Sequence, residues 1–261
     1  MKWGCCGDGD RVQAIAQAGY DYVESPVRAL CIGEPEVSAK PFYDAVKESG
    51  LSVEGFNVFV SSDLPVVGPN VDQKALRRHV DAIVARVAGL DTSIMVLGSG
   101  GARAIPDGWD PNKARTQFKD FCSLAADALG PAGITITIEP LASTACNYIH
   151  TVAEALDIAH EVDRPEVGAL ADLYHMQMND DPISELGKVA GELKHVHLPV
   201  PNLPGLIEHE QLFDHSGYLS ALKAGGYTGR ISVEDNGKRF VDFDTEAKPV
   251  LEYLQETWAS L

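Results

Sequence analysis

The chain has 261 residues, 45% apolar and 23% charged, which is ordinary for a globular protein with a large core. Its 21 Lys and Arg stand against 38 Asp and Glu, and a net charge of −17 opposes the phosphate attraction that drives nucleic-acid binding. No apolar run reaches membrane-spanning length, MKWGCCGDGD lacks a signal-peptide core, and the five cysteines show no CxxC spacing, so a cytoplasmic protein with reduced thiols and no membrane partner is expected.

In chain order, Lys2–Gly7 reads as a strand in which one of Cys5 and Cys6 faces inward and the other outward. Asp10 precedes a helix over Arg11–Ala18, stopped by Gly19. Tyr20–Val27 is the second strand, Glu36–Ser49 a helix, and Leu51–Val60 the third strand. A Pro- and Gly-rich loop over Ser61–Asn70 leads to an amphipathic helix at Val71–Ala88. Thr92–Leu97 is the fourth strand, followed by Gly98-Ser99-Gly100-Gly101 and a helix over Asn112–Leu129. The β-branched run Ile134–Leu141 is the fifth strand and carries Glu139. A helix over Thr151–Val162, a strand over Val167–Leu173, a helix over Ile183–Ala190 and a strand over Leu193–Leu198 follow. A long loop, Pro199–His215, leads to a helix at Gly217–Ala224 and the eighth strand at Arg230–Glu234. The last helix is placed at Lys248–Leu261, with Pro249 in its first turn.

Strands alternating with helices imply a parallel sheet. Eight such repeats in 261 residues fit a closed (β/α)8 barrel, since that fold takes about 250 residues. No linker or compositional shift divides the chain, so residues 1–261 are read as a single domain. The long loops follow strands, on the face where such barrels place their active sites.

Glu139, Asp172, His197 and Glu234 fall near the C-terminal ends of strands five to eight. Three carboxylates crowded together would repel one another, which a cation relieves. That oxygen-rich set suits Mn²⁺ first, with Mg²⁺, Co²⁺, Fe²⁺ or Zn²⁺ as alternatives. A hydroxy-ketone chelated there would lose its α-proton to give an enediolate. Glu139 and Glu234 would serve as the acid/base pair, giving epimerisation or aldose–ketose isomerisation.

These residues resemble the sugar isomerase/epimerase TIM barrels related to xylose isomerase, which include ketose 3-epimerases, hydroxypyruvate isomerase and inosose dehydratase. The similar segments are Ile138-Glu139-Pro140-Leu141, Asp172-Leu173-Tyr174-His175-Met176, His195-Val196-His197, Ser232-Val233-Glu234 and Gly98 to Arg103, spread over essentially the whole chain. The resemblance implies that Glu139, Asp172, His197 and Glu234 bind the metal, that Glu139 and Glu234 are catalytic, and that His175 contacts a substrate oxygen. Family members are often dimers or tetramers, so a homo-oligomer is the protein partner to expect. The chain departs from the epimerase pattern at Ala145 and Leu203, where the family carries a glutamate and an arginine that touch substrate.

Glu24 and Asn57, ending strands two and three, are further candidates to line the substrate pocket, and Trp109 to cover a sugar face. The glycines at 98, 100 and 101 serve a tight turn or close backbone approach more readily than a phosphate. Gly237, Lys238 and Arg239 are a weak phosphate signal, and the net charge favours an unphosphorylated substrate. Two other readings use the same site. A dehydratase would expel a hydroxyl from the same enediolate, and a non-catalytic sugar- or metal-binding barrel would bind without proton exchange.

Overall fold

The computed structural model describes residues 1–235 and 239–261. Eight parallel strands close into one barrel in the order β1-β2-β3-β4-β5-β6-β7-β8. They are β1 (Lys2–Cys6), β2 (Tyr22–Pro26), β3 (Ser52–Asn57), β4 (Ile94–Leu97), β5 (Thr135–Ile138), β6 (Val167–Asp172), β7 (His195–Pro199) and β8 (Arg230–Glu234). The helices are α1 (Val12–Ala18), α2 (Lys40–Ser49), α3 (Gln73–Val87), α4 (Gly100–Arg103), α5 (Pro111–Leu129), α6 (Val152–Val162), α7 (Leu173–Met178), α8 (Ile183–Val189), α9 (His215–Ala224) and α10 (Phe243–Ser260). No helix among the described residues is long and apolar enough to cross a membrane. The Gly237 and Lys238 signal lies outside the described residues.

Alternation along each strand sorts the core into two parts. Met95 and Leu97 face outward into the large core between sheet and helices, with Phe56, Phe59, Phe118 and Phe121. Ile94 and Val96 face inward and meet Leu170 in a small second cluster inside the barrel. Cys5 belongs to the outer core, and Cys6 turns inward to within 3.6 Å of the Asn57 amide nitrogen. At the bottom of the barrel, buried Glu54 accepts from Lys2 Nζ at 2.5 Å and also binds Arg230, tying β1, β3 and β8 together.

Several element boundaries differ from the sequence reading, and four of them bear on the candidate site or on a helix start. β5 ends at Ile138, so Glu139 stands just past the strand, where its carboxylate clears the ladder. α7 begins directly after β6 because the Asp172 carboxylate caps it, accepting from the Tyr174 and His175 amides. α9 starts at His215 behind the Asp214 cap. The last helix starts at Phe243, with Asp242 at its N-cap, which puts Pro249 inside the helix rather than in its first turn.

Candidate metal centre

β5, β6, β7 and β8 bring the four strand-end residues together. His197 Nδ1 lies 3.2 Å from Glu139 Oε1, 3.2 Å from Glu234 Oε2 and 3.8 Å from Asp172 Oδ2. One donor atom from each of the four falls within 4.8 Å of all the others. Asp172 and His197 are fully buried, and Glu234 is the most exposed of the four.

The charge chemistry of this cluster fits a cation. Burial pushes the Asp172 carboxyl well above the usual carboxylate range, and Glu234 and Glu139 push it further. Burial would depress the His197 ring, but Glu24, Glu234 and Glu139 hold it well above the ordinary imidazole value. Burial alone would raise Glu234, and the His197 ring outweighs it to give a lowered value. Protons therefore neutralise part of a buried anionic cluster, and a divalent cation would do the same through the same atoms. The donor set, three carboxylates and one imidazole, suits a hard or borderline divalent ion.

Gly98 makes room for this arrangement. A Cβ at Gly98 would stand 2.0 Å from Glu139 Oε2, closer than any non-bonded contact allows. Its backbone needs no left-handed conformation. The glycine after β4 therefore serves the close approach of a carboxylate.

A second layer lies one alternation deeper. His197 Nε2 donates to Glu24 Oε1 at 2.9 Å, and His195 Nε2 donates to Glu24 Oε2 at 2.8 Å. Ser232 Oγ donates to Glu24 Oε2 at 2.7 Å, and the Asn57 amide donates to Oε1 at 3.1 Å. Tyr22 donates to Ser232 at 2.9 Å. Burial raises the Glu24 carboxyl, but the His197 and His195 rings override it and hold it well below the usual range. An ionised Glu24 only accepts, so His197 carries a proton on Nε2 and presents Nδ1 to the carboxylates.

Glu24 is thus placed differently from the sequence expectation. It is fully buried and meets the imidazoles, because β2 runs on to Pro26 and leaves Glu24 two residues below the rim. Asn57 and Glu234 both line a cavity of about 390 Å³, with Cys6, Arg11, Arg28 and Asp235 on its other sides. His175 is buried, and its Nδ1 accepts from the Ala142 amide at 3.0 Å. Burial lowers its basicity, so the neutral ring carries its proton on Nε2. Trp109 is not brought to this cavity. Its indole donates to Gln117 Oε1 at 3.2 Å and lines a separate surface depression on α5 with Asn112, Lys113 and Thr116. Ala145 is exposed in the turn after β5, and Leu203 closes a short bridge with Ile207.

His195 and Ser232 are site residues the sequence reading left without a role. The signal was present in His195-Val196-His197 and Ser232-Val233-Glu234, because residues two apart on a strand share a face.

The family model described as xylose isomerase-like TIM barrel matches residues 12–257. A 2-oxo-tetronate isomerase of Pectobacterium atrosepticum is 26% identical over 236 residues, covering 87% of this chain and 86% of that protein. A ketose 3-epimerase of Arthrobacter globiformis is 27% identical over 253 residues, covering 90% and 83%. Among solved structures, a D-allulose 3-epimerase from Methylomonas sp. superposes with a TM-score of 0.83 at 20% identity, covering 98% of both chains. A D-psicose 3-epimerase from Clostridium cellulolyticum H10, solved with D-tagatose, gives a TM-score of 0.81 at 17% identity and covers 99% of both.

Proposed function

The chain belongs to the xylose isomerase-like TIM barrel family, and on that premise we propose that it is a divalent-metal-dependent isomerase or epimerase of a small ketose or hydroxy-keto compound. The relatives' isomerase and epimerase activities support the reaction class. One observation carries the residue assignment: Glu139 and Glu234 each place a carboxylate oxygen 3.2 Å from the same nitrogen, His197 Nδ1.

Glu139, Asp172, His197 and Glu234 are the residues that would hold the metal, with Mn²⁺ the first choice for so oxygen-rich a set. When bound, the cation polarises a substrate carbonyl and stabilises negative charge on its oxygens. The chain's own residues move the proton. One of Glu139 and Glu234 removes it from the carbon beside the carbonyl, leaving an enediolate, and the other returns one. Return to the same carbon from the opposite face gives the epimer, and return to the neighbouring carbon interconverts aldose and ketose. Glu24 keeps the His197 tautomer fixed throughout, since its Oε1 accepts from Nε2. His175 offers an Nε2 proton to a substrate oxygen, and Asn57 lines the cavity beside Glu234.

The test is deuterium wash-in. Protein loaded with Mn²⁺ is incubated in D₂O with a panel of four- to six-carbon ketoses and hydroxy-keto acids, beside an Asp172→Ala variant. Deuterium at a carbon next to the carbonyl, absent from the variant, is the expected result. Metal binding without exchange into any member of the panel would refute the isomerase and leave a binding barrel.

A further inference from the structure

Val58 is held in a conformation that its side chain disfavours. It follows Asn57 at the end of β3 with φ at +49°, a region that β-branched residues almost never occupy. Glycine or asparagine would make the same turn with little strain. Its neighbours fix the backbone on both sides. Asn57 is tied to Glu24, the Phe59 amide donates to the Val96 carbonyl at 3.3 Å, and the Val60 amide donates to Ser99 Oγ at 2.9 Å. The Phe59 ring is fully buried against Phe121, with 5.4 Å between ring centres. Burial does not compensate at Val58 itself, which is 50% exposed.

The exposed isopropyl group stands between two cavities. It lines the cavity of about 390 Å³ that contains Glu234 and Asn57. It also lines a second cavity, of about 520 Å³, bounded by Ile32, Phe59, Leu64 and His79. Arg28 lines both as well, but its side chain is 69% exposed and turns to an ion pair with Asp8, whereas Val58 has one torsion on a pinned backbone. Strain kept at the mouth of a site, where a less strained residue would serve the turn, points to a use for the side chain.

We propose that Val58 is a specificity-determining residue whose isopropyl group walls off the cavity onto which Glu234 opens and limits the size of the ketose that the proposed site admits. This rests on the ketose reading above. Val58→Gly opens the wall and removes the strain, and Val58→Asn removes the strain while keeping a side chain of similar bulk. Binding of L-erythrulose, D-tagatose and the disaccharide lactulose to the Mn²⁺-loaded proteins is measured by calorimetry, beside thermal unfolding.

The wild type is expected to bind D-tagatose well ahead of lactulose. The glycine variant should narrow that ratio by roughly tenfold, the usual worth of an apolar pocket contact, and the asparagine variant should melt a few degrees above wild type. A lactulose-to-tagatose ratio within twofold of wild type in the glycine variant overturns the wall. An asparagine variant that melts no higher overturns the strain on which it rests. Wild type that binds none of the three sugars overturns the wall as well. Binding without deuterium wash-in sinks only the isomerase reading, since the affinities still test Val58.

Discussion

Glu24 is the most informative residue to perturb, because it holds His197 of the proposed metal site without lining the cavity beside Glu234. Its two oxygens accept from His197 Nε2, His195 Nε2, Ser232 Oγ and the Asn57 amide, all buried. Glu24→Ala leaves those donors without an acceptor and opens a cavity beneath the site. Removing one partner of a buried charged cluster costs about 3–5 kcal/mol, so the variant should melt well below wild type. Released from Oε1, the His197 ring can turn or move its proton to Nδ1, the atom that faces Glu139, Asp172 and Glu234. Loss of such a supporting partner costs about 10–100-fold in metal affinity. Glu24→Gln should be milder, for a reason the geometry supplies. An amide must turn its NH₂ toward one of the two histidines, and only His195 has a ring nitrogen, Nδ1, with no hydrogen-bond partner among the described residues. His195 can shift its proton to Nδ1 and accept from the amide, which spares His197. The expected order of Mn²⁺ affinity by calorimetry is therefore wild type, then Glu24→Gln, then Glu24→Ala. An alanine variant that binds Mn²⁺ within twofold of wild type would refute the supporting role.

Three further predictions follow from the same atoms. Gly98→Ala is allowed by the backbone but would place a Cβ 2.0 Å from Glu139 Oε2, so metal affinity and wash-in should fall at least tenfold while circular dichroism stays near wild type; unchanged affinity would show that Glu139 has room to spare. Asp172→Asn keeps an oxygen to cap α7 but gives up the charge, so it should lose metal yet lose less stability than Asp172→Ala, which also forfeits a helix cap worth about 1 kcal/mol. Metal affinity should rise with pH from 6 to 8, because the metal must displace a proton from His197, whose basicity is raised, and one from Asp172, whose acidity is weakened. Each displaced proton contributes up to about tenfold per pH unit where the metal-free site still holds it, and a flat titration would remove these residues from the ligand set.

Much of this was legible in the sequence because a barrel strand announces both its end and its inward face. The four candidate ligands were read as polar residues closing short apolar runs, and the fold brings Glu139, Asp172, His197 and Glu234 around one point. What alternation does not encode is depth. Glu24 looks like a strand-end residue, but β2 continues past it to Pro26, and its pairing with β3 shifts between Val23 and Glu24. With two strand residues still beyond it, the Glu24 carboxylate lies below His197. Loop residues were least legible, since Trp109 is placed by a hydrogen bond to Gln117 and by its packing on α5, which leave no periodic trace. Pro249 misplaced the last helix because proline favours a first turn, whereas here the helix starts at Phe243 and tolerates the proline within it.

The arrangement of charge explains why the site is built in two layers. Glu24, Glu139, Asp172 and Glu234 place four carboxyl groups around one imidazole inside a closed barrel, where a purely structural role would be met more cheaply by apolar side chains. The layers divide the work. Glu24 is satisfied by His195, His197, Ser232 and Asn57 whether or not a cation is present, so the orientation of His197 is fixed in advance. Asp172 is half committed in the same way, since its Oδ1 caps α7 and leaves Oδ2 toward His197 Nδ1. The cap ties Asp172 to the segment that carries His175, so the candidate ligand and the candidate substrate contact are joined through one helical turn. In the proposed reaction the upper layer, Glu139 and Glu234 with Oδ2 of Asp172, is the part that would exchange protons for a cation or pass them to a substrate. A hydrogen-bonded lower layer beneath an upper layer of carboxylates is the arrangement that the proposed proton transfer at a preorganised centre would use.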